Sequence, residues 1–399
     1  MTRYIGTTAR GLRAPIFKSG DDIVKIIPDL LMKAAKSEPF ELRDRDVLAI
    51  TESVVARTQN NYATTDDIRD DVRRKMDGHT EFGLTLPILS RNRFSILLKG
   101  IAAAADHIYL QLSYPADEVG NHLFPADKLI GSGINPWEDT LTEAEFREHF
   151  GETFHAFTGI DYIAFYREII ENEGAECTII FSNDCCSILD YTDHVIVCDI
   201  HSRATSKKLL RDKGAKLVIG LDDILNDPSD AHGYNEQYGL LGSNKADDDR
   251  IKLFPRECQN TVDRLAAELK NVTGKHIEVM IYGDGAFKDP VGRIWELADP
   301  VVSPAYTEGL EGTPNEMKLK YLADKDYKDL SDEALQEAIT ERLRHKEGMD
   351  SKAAEEIAEG TTPRRLTDLL GSLADLTSGS GDKGTPIVYI QGYFDNYSD

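Results

Sequence analysis

Cations are scarce in this chain: 46 lysines and arginines stand against 70 aspartates and glutamates, a formal charge of −24 over 399 residues. That deficit excludes a broad basic face of the kind that grips nucleic acid or an anionic membrane. It does not exclude a nucleotide site, which needs only a few donors and a metal ion to bridge phosphates. Cysteine is scarce too. The five, Cys177, Cys185, Cys186, Cys198 and Cys258, are odd in number and form no C-x-x-C pair, so they indicate neither a disulfide framework nor a thiolate zinc site. The chain lacks an apolar run of membrane-spanning length, an internal repeat and a low-complexity tract. Its opening, "MTRYIGTTARGLRAPIF", lacks the continuous apolar stretch of a signal peptide. The expectation is a soluble cytoplasmic protein with neither nucleic acid nor membrane as a partner.

What is present is enough apolar residue, 41%, for well-packed domains, and enough length for two or three of them. Residues 21 to 36 predict a helix, with Ile23, Ile26, Ile27, Leu30, Leu31 and Ala34 on one face and a Ser/Asp cap ahead of them. "DVLAIT" reads as a short buried strand, and the acid-rich stretch "TTDDIRDDVRRKMDG" as a solvated helix or loop. From residue 160 onward strands and helices alternate: "CTIIFS", "HVIVCDI" and "KLVIG" are strands, with a helix ending at Gly214 between the last two. Alternation of this kind predicts a small parallel sheet, at about 155–225. No Gly-rich fingerprint follows any of its strands. Residues 260 to 273 form an amphipathic helix, "HIEVMIYGDG" a half-buried strand, residues 331 to 376 two or three helices, and "TPIVYIQ" a last strand.

The stretch "GSNKADDDRIKLFP" sets Asp247, Asp248 and Asp249 side by side in a chain that already repels itself. Asp247 precedes a strand that begins near Arg250, and Asp284 follows the strand that ends near Tyr282. Strand, helix and strand between them can bring the two carboxylates to one sheet edge, and magnesium is commonly held by one or two carboxylates plus substrate phosphates. Asp284-Gly285 also reads as a plain turn pair, and acidic loops are common in so acidic a chain. Spacing alone leaves both readings open.

Several blocks resemble, in order, the coenzyme F-420-0:L-glutamate ligase (F-420-0 gamma-glutamyl ligase) family. "APIFKSGDDIVKII" looks like its Pro-x-x-x-x-Gly-Asp-Asp opening, and "DRDVLAITESVVAR" like its strand followed by a Ser-Lys-Val-Val-Ser-Lys type segment. "YGLLGSNKADDDRIKLFP" resembles the Asn-Ala-Gly-Val-Asp-Glu-Ser-Asn block, "GKHIEVMIYGDGAFKDPVGRIW" the strand into Ser-Asp-Thr-Phe-Gly-Arg-Pro-Trp, and "SGSGDKGTPIVYIQG" the closing Gly-x-Gly-Val-Pro strand. The resemblance implies an α+β fold: a gamma-glutamyl-ligase-like core interrupted by an inserted α/β subdomain, with a helical C-terminal part. The division it implies is 1–100 for the N-terminal part of the core, 101–238 for the insertion, and 239–399 for the rest of the core with the metal and nucleotide site. It implies a homodimer and a GTP- and divalent-metal-dependent ligase, with Mg or Mn as the ion. Such an enzyme joins an amino acid, glutamate in the family, to a small carboxylate through an acyl phosphate. That route needs metal to offset phosphoryl charge and donors to position the nucleotide.

Carried over residue by residue, Asp247 and Asp284 fall on the family's metal ligands. Leu12, Arg13, Ala14 and Pro15 fall on a nucleotide-contacting loop, and Gly20, Asp21 and Asp22 on the stretch after it. The Ser-Lys pair becomes Glu52 and Ser53, and the second lysine becomes Arg57, which keeps the charge with a different geometry. The asparagine after the first metal aspartate becomes Arg250, the hydroxyl residue after the second becomes Gly285, and a metal-binding glutamine aligns with Ser380. Glu52 in place of a hydroxyl alters the charge offered to a triphosphate, which Arg57 or Arg250 can offset, and Asp289, Arg293 and Asp299 can rebuild the site. Two rivals follow from these losses: a metal-dependent phosphohydrolase, which releases phosphate without an amino acid, and a nucleotide-binding regulatory protein, which binds without turnover.

Other candidates have plain alternatives. Arg91, Arg93 and Lys99 can meet phosphate or carboxylate, or form a solvated helix rim. Asp190, Asp193, His194, Asp199 and His201 can hold a second metal at a strand end or be ordinary polar residues. Cys185-Cys186 reads as a nucleophile or as packing, and "SGSGDKG" as a phosphate cradle or as a flexible loop.

Overall fold

The computed structural model describes residues 4–156, 158–285, 298–314, 318–344, 364–378 and 381–396. A mixed five-stranded sheet forms the core, in the order β1 (Thr8–Leu12), β14 (Ile387–Gln391), β2 (Val47–Thr51), β12 (Glu278–Tyr282) and β13 (Ala305–Tyr306). Alternate residues of β2 and β12 point to opposite faces, and both faces are covered. Leu48, Ile50, Val279 and Ile281 meet Ile27 and Leu31 of the helix Ile23–Ser37, and Val262 and Leu265 of the helix Cys258–Thr273. Val47, Ala49, Met280 and Val388 meet Leu370 and Ala374 of the helix Leu366–Ser378. The first helix starts where the sequence marks it, with the Asp22 side chain accepting from the Val24 N–H. The fold is α+β, with helices Asp332–Arg344 and Leu366–Ser378 in its C-terminal part.

A second, six-stranded sheet carries the insertion. Its order is β6 (Leu141–Thr142), β7 (Glu176–Phe181), β5 (His107–Leu112), β4 (Glu81–Thr85), β8 (His194–Val197) and β9 (Leu217–Gly220), all parallel except the edge strand β6. The five parallel strands therefore run third, second, first, fourth, fifth, a doubly wound order whose reversal falls at β4. The division expected at 100/101 does not follow the sheets, because β4 and the helix Phe94–Ala102 precede or straddle it and pack with the insertion. β4 and β5 gave no strand signal at the sequence level. "EFGLT" is short and holds Gly83, where a Cβ would strike Ile188 at 2.5 Å, and "HIYLQL" mixes polar with apolar residues. The acid-rich stretch is a helix, Thr65–Lys75, started by a capping box between Thr64 and Asp67.

A small third sheet joins the two parts: β10 (Asn244–Lys245), β11 (Arg250–Lys252) and β3 (Tyr62–Thr64), antiparallel throughout. Buried Asn61 anchors it, donating to the carbonyls of Tyr234 and Phe254. Among the described residues, no helix is long and apolar enough to cross a membrane.

Candidate active site

Strand direction concentrates the chemistry at one edge of the core sheet. β2 and β12 are parallel, with Thr51 beside Tyr282, so Glu52 and Asp284 leave adjacent strand ends together. β14 runs antiparallel to both β2 and β1, which brings the end of β1 and the start of β14 to the same edge. There the Ala14 N–H donates to the Gly384 carbonyl at 2.9 Å and the Thr51 N–H to the Pro386 carbonyl at 3.0 Å. Ligands of open sheets collect at the carboxyl ends of parallel strands.

Four carboxylates crowd this edge: Glu52, Asp284, Asp299 and Asp375. Asp299 is 1% exposed, and its Oδ2 accepts the Asp284 N–H at 2.8 Å. Asp375 accepts the Gly285 N–H at 3.1 Å. The flanking glycines make this approach possible: a Cβ on Gly283 would lie 2.2 Å from Asp299 Oδ2, and one on Gly285 would lie 2.9 Å from Asp375 Oδ2. Glu52 is buried and receives Lys252 Nζ at 2.7 Å on each oxygen. Arg93 sends Nη2 to Asp284 at 2.6 Å and Nη1 to Asp299 at 2.7 Å. Ionised together, the four would set four negative charges against two positive ones. The imbalance shows in the titration: burial, then the Asp299 carboxylate, push Asp284 up to about 7 against the pull of Arg93. Burial also raises Glu52, although Lys252 opposes it.

Two clefts open beside the cluster and share Ser53 and Arg57. One, of about 490 Å³, runs between Ala14, Pro15 and Phe17 on one wall and Gly384, Thr385 and Asp375 on the other. The second, of about 530 Å³, is lined by Lys18, Arg57, Lys245, Arg250 and Lys252 without any carboxylate. In so acidic a chain this is a local reversal of sign. Arg57 is fixed for both clefts by donating Nε to the Phe17 carbonyl at 2.6 Å.

The residues expected from sequence divide accordingly. Ala14, Pro15, Ser53, Arg57 and Arg250 line the clefts, and Glu52 and Asp284 belong to the cluster. Leu12 is buried in the core and Arg13 is exposed beside it. Gly20, Asp21 and Asp22 make local structure. Gly20 takes a positive φ, Asp21 accepts the Lys18 N–H at 2.6 Å, and Asp22 caps the first helix. Ser380, Asp289 and Arg293 lie outside the described residues.

Asp247 stands on the β10–β11 hairpin tip, 54% exposed and 3.2 Å from Arg250 Nε. Among the described residues, no hydrogen bond or ion pair joins it to Asp284. Each of the three adjacent aspartates has its own cation: Asp247 has Arg250, Asp248 has Lys245 at 2.9 Å, and Asp249 has Lys99. Arg250 also lies over the Tyr62 ring at 4.9 Å.

Sequence reasoning left Arg93 between a phosphate or carboxylate contact and a helix rim, of which the carboxylate contact is the one formed, and passed over Lys252, Lys245, Lys18 and Asp375. Lys252 carried a readable signal, since Arg250 and Lys252 flank Ile251 in one strand and must share a face. Asp375 sits in a helix of ordinary composition and carried none. Gly384 of "SGSGDKG" lines the first cleft, and Asp190, Asp193 and His194 line a separate one of about 590 Å³. The Cys185 thiol is buried and pushed up to about 12, far from thiolate formation at neutral pH. Asp199 is buried and bonded by Ser206 Oγ at 2.9 Å, with burial holding it at about 6. Asp193 pairs with His194 and Lys216, each at 2.8 Å. Among the described residues, the three-residue group within metal-ligand range is Asp184, Cys185 and Cys186, not these.

A family model described as F420-0:Gamma-glutamyl ligase matches residues 11–392, from the end of β1 to the residue after β14, and so takes in both sheets and both clefts. No individual curated protein matches the chain. With nearly the whole sequence covered by that one model, the chain belongs to the F420-0:gamma-glutamyl ligase family.

Proposed function

We propose that this chain joins an amino acid, glutamate by family, to a small carboxylate, using GTP and a divalent ion and passing through an acyl phosphate. The observation that carries the reading is the pairing of opposite fields at one sheet edge. A cleft whose charged lining is basic throughout, suited to phosphates, adjoins a carboxylate cluster with two negative charges unmatched. Burial first, and then the Asp299 carboxylate, push Asp284 up to about 7, and no three carboxylates of the cluster stand within metal-ligand range among the described residues, so a hard divalent ion would rest there on two protein ligands together with the phosphates. Asp284 and Asp299 would hold it, and bound there a magnesium or manganese ion offsets phosphoryl charge.

The remaining work falls to the chain's own groups. Lys18, Lys245 and Arg250 bind the phosphate oxygens, and Arg57 steadies the nucleotide where the two clefts meet. Phosphate drawn to Arg250 would take that guanidinium from Asp247 and free the Asp247 carboxylate, the family's other metal ligand. The acceptor carboxylate then attacks the terminal phosphorus of GTP and expels GDP, and the amine attacks the acyl carbon of the resulting acyl phosphate, releasing inorganic phosphate and a proton as the amide forms. Lys252 keeps Glu52 ionised and turned away from the phosphates. As in the family, two copies of the chain would associate.

The test is phosphate release from GTP with Mg²⁺ or Mn²⁺, L-glutamate and a panel of carboxylates that includes the deazaflavin precursor F420-0. Release that requires both amino acid and carboxylate, and that Asp284→Asn abolishes, supports ligation. Release without amino acid would instead make the protein a phosphohydrolase. Nucleotide binding with no turnover on any acceptor would make it a regulatory protein.

A further inference from the structure

We propose that the turn after β7 holds a thiophilic divalent ion of the zinc class, with Cys185 Sγ, Cys186 Sγ and the Asp184 carboxylate as its protein ligands. The site lies in the inserted subdomain and shares no residue with the carboxylate cluster of the core. It stands whether or not the ligase reading does.

Asp184 follows the end of β7 and caps the 3₁₀ turn Cys185–Asp190, its Oδ1 accepting the Cys186 N–H at 2.9 Å. That places the three donors at the carboxyl edge of the parallel sheet, where open α/β folds collect ligands. The backbone there is held in place. Buried Gln111, on the neighbouring strand β5, donates Nε2 to the Asp184 carbonyl at 2.7 Å and to the Ser182 carbonyl at 3.0 Å. The Ser187 N–H donates to the same Asp184 carbonyl at 3.1 Å. A turn fixed in this way presents three consecutive side chains to one point.

The donor atoms already converge. A carboxylate oxygen of Asp184 and the two sulfurs all lie within 4.8 Å of one another, and among the described residues this is the group of three that does so. Around a tetrahedral zinc, with bonds of about 2.3 Å to sulfur and about 2.0 Å to oxygen, such donors stand roughly 3.5–3.8 Å apart. Small side-chain rotations close the difference. Without an ion the same groups form a chain of hydrogen-bond contacts, Cys185 with Cys186 and Cys186 with Asp184. Behind it, Ser206 of the helix Arg203–Asp212 reaches the Cys185 sulfur and donates Oγ to buried Asp199 at 2.9 Å. A hydroxyl oriented by a carboxylate is outer support of the kind that holds metal ligands in position.

The donor set selects the ion. Thiolate sulfur favours zinc over magnesium and manganese, which take oxygen. Burial pushes the Cys185 thiol up to about 12 and raises Cys186 as well, the latter with help from the Asp184 carboxylate. Both sulfurs therefore carry protons until the ion arrives. Binding forms two metal–sulfur bonds and one metal–oxygen bond, releases two protons to solvent and leaves a fourth position to water. The net charge of the site is unchanged, since the two protons lost balance the charge of the ion gained.

Cobalt(II) is the probe, because its thiolate bonds give a charge-transfer absorption that oxygen ligands do not. The metal-free full chain, kept reduced with a phosphine, is titrated with Co²⁺ for wild type, Cys186→Ser, Asp184→Asn and Asp284→Asn. The expected result is one thiolate-bound Co²⁺ per chain, displaced by Zn²⁺. Cys186 is half-buried, so serine keeps its size while the absorption is lost. Asp184→Asn weakens the site about ten-fold or more, and Asp284→Asn leaves it unchanged. Release of two protons makes the apparent affinity rise about a hundred-fold per pH unit below neutrality. That slope is read on wild type alone and carries the test should Cys186→Ser fail to melt cooperatively. No charge-transfer absorption in wild type, an undiminished one in folded Cys186→Ser, or an affinity indifferent to pH overturns the proposal and leaves the thiols as packing.

Discussion

Replacing Asp284 by asparagine should stabilise the metal-free protein in alkaline solution and leave it almost unchanged in acid. The reasoning starts from burial and, after it, the neighbouring Asp299 carboxylate, which together hold Asp284 at about 7 when its ordinary value is 3.8. A carboxyl raised in the folded state contributes stability that is fully present below its unfolded value. That contribution is lost as pH rises through the folded one, here between about 4 and about 7. At about 1.4 kcal/mol per pH unit, the gap sets a ceiling of about 4 kcal/mol on the penalty above pH 7. Water reaches 32% of the side chain and screens part of it, so a gain of about 1–3 kcal/mol is the working expectation. Asparagine keeps the shape and removes the charge, and Arg93 retains Asp299 as a partner. The assay is urea unfolding of both proteins in EDTA at pH 5 and at pH 8.5. At pH 5 the folded carboxyl is protonated while the unfolded one is already ionised, so about a third of the full penalty is present and the gap between the curves should be small. At pH 8.5 the variant should unfold at higher urea, and added Mn²⁺ should close the gap by stabilising only the wild type. A variant that is less stable than wild type at pH 8.5 would refute the reasoning. It would mean that the Arg93 ion pair outweighs the crowding.

The buried pair of Glu52 and Lys252, 8% and 10% exposed at the side chains, makes a second prediction. Lys252→Met alone should cost about 3–5 kcal/mol by stranding a buried carboxylate, and adding Glu52→Gln should recover most of it, as read from a double-mutant cycle of denaturation midpoints. Gly283→Ala places a methyl group 2.2 Å from Asp299 Oδ2. The clash should cost about 1–3 kcal/mol in unfolding and weaken Mn²⁺ binding together, since the carboxylate must move. In the basic cleft, Arg250→Ala should weaken GTP binding about ten-fold or more in calorimetry, the equivalent of one charge-assisted contact of about 1.5–3 kcal/mol. Unchanged affinity there would remove that cleft as the phosphate site.

Legibility in the sequence followed the range of the interactions. Periodicity placed the helix Ile23–Ser37 and the strands β2, β12 and β14 within a residue or two, because those elements bury regular stripes on a sheet covered on both faces. The alternation of strands and helices after residue 160 gave three strands of the parallel sheet, β7, β8 and β9. Its first two strands stayed hidden because Gly83 and the polar residues of β5 answer to packing neighbours that only the folded chain supplies. The site shows the same limit. Glu52 and Asp284 were found through motif order, and strand geometry accounts for their meeting. Arg93, Asp375 and Lys252 reach the cluster from the insertion, from the helix Leu366–Ser378 and from the hairpin. No local spacing encodes those approaches.

The aspartate run from 247 to 249 shows how charge and position trade meaning once the chain folds. As sequence it is a concentration of negative charge, which is why it competes for the role of metal site. As structure it is a hairpin tip on which each carboxylate meets its own cation, so its net field is small. The unmatched charge sits elsewhere, on aspartates that the sequence scatters at 284, 299 and 375 and that glycines at 283 and 285 allow to close in. A pair of exposed charges is worth little and exchanges partners easily. The Asp247–Arg250 pair is of that kind, whereas the Glu52–Lys252 pair is enclosed and fixed. The edge therefore combines a rigid, charge-deficient cluster with a loosely paired hairpin beside the basic cleft, and an incoming phosphate can rearrange only the second. Under the proposed ligase function, that division of labour would let one anionic substrate both fill the cleft and release Asp247 from Arg250.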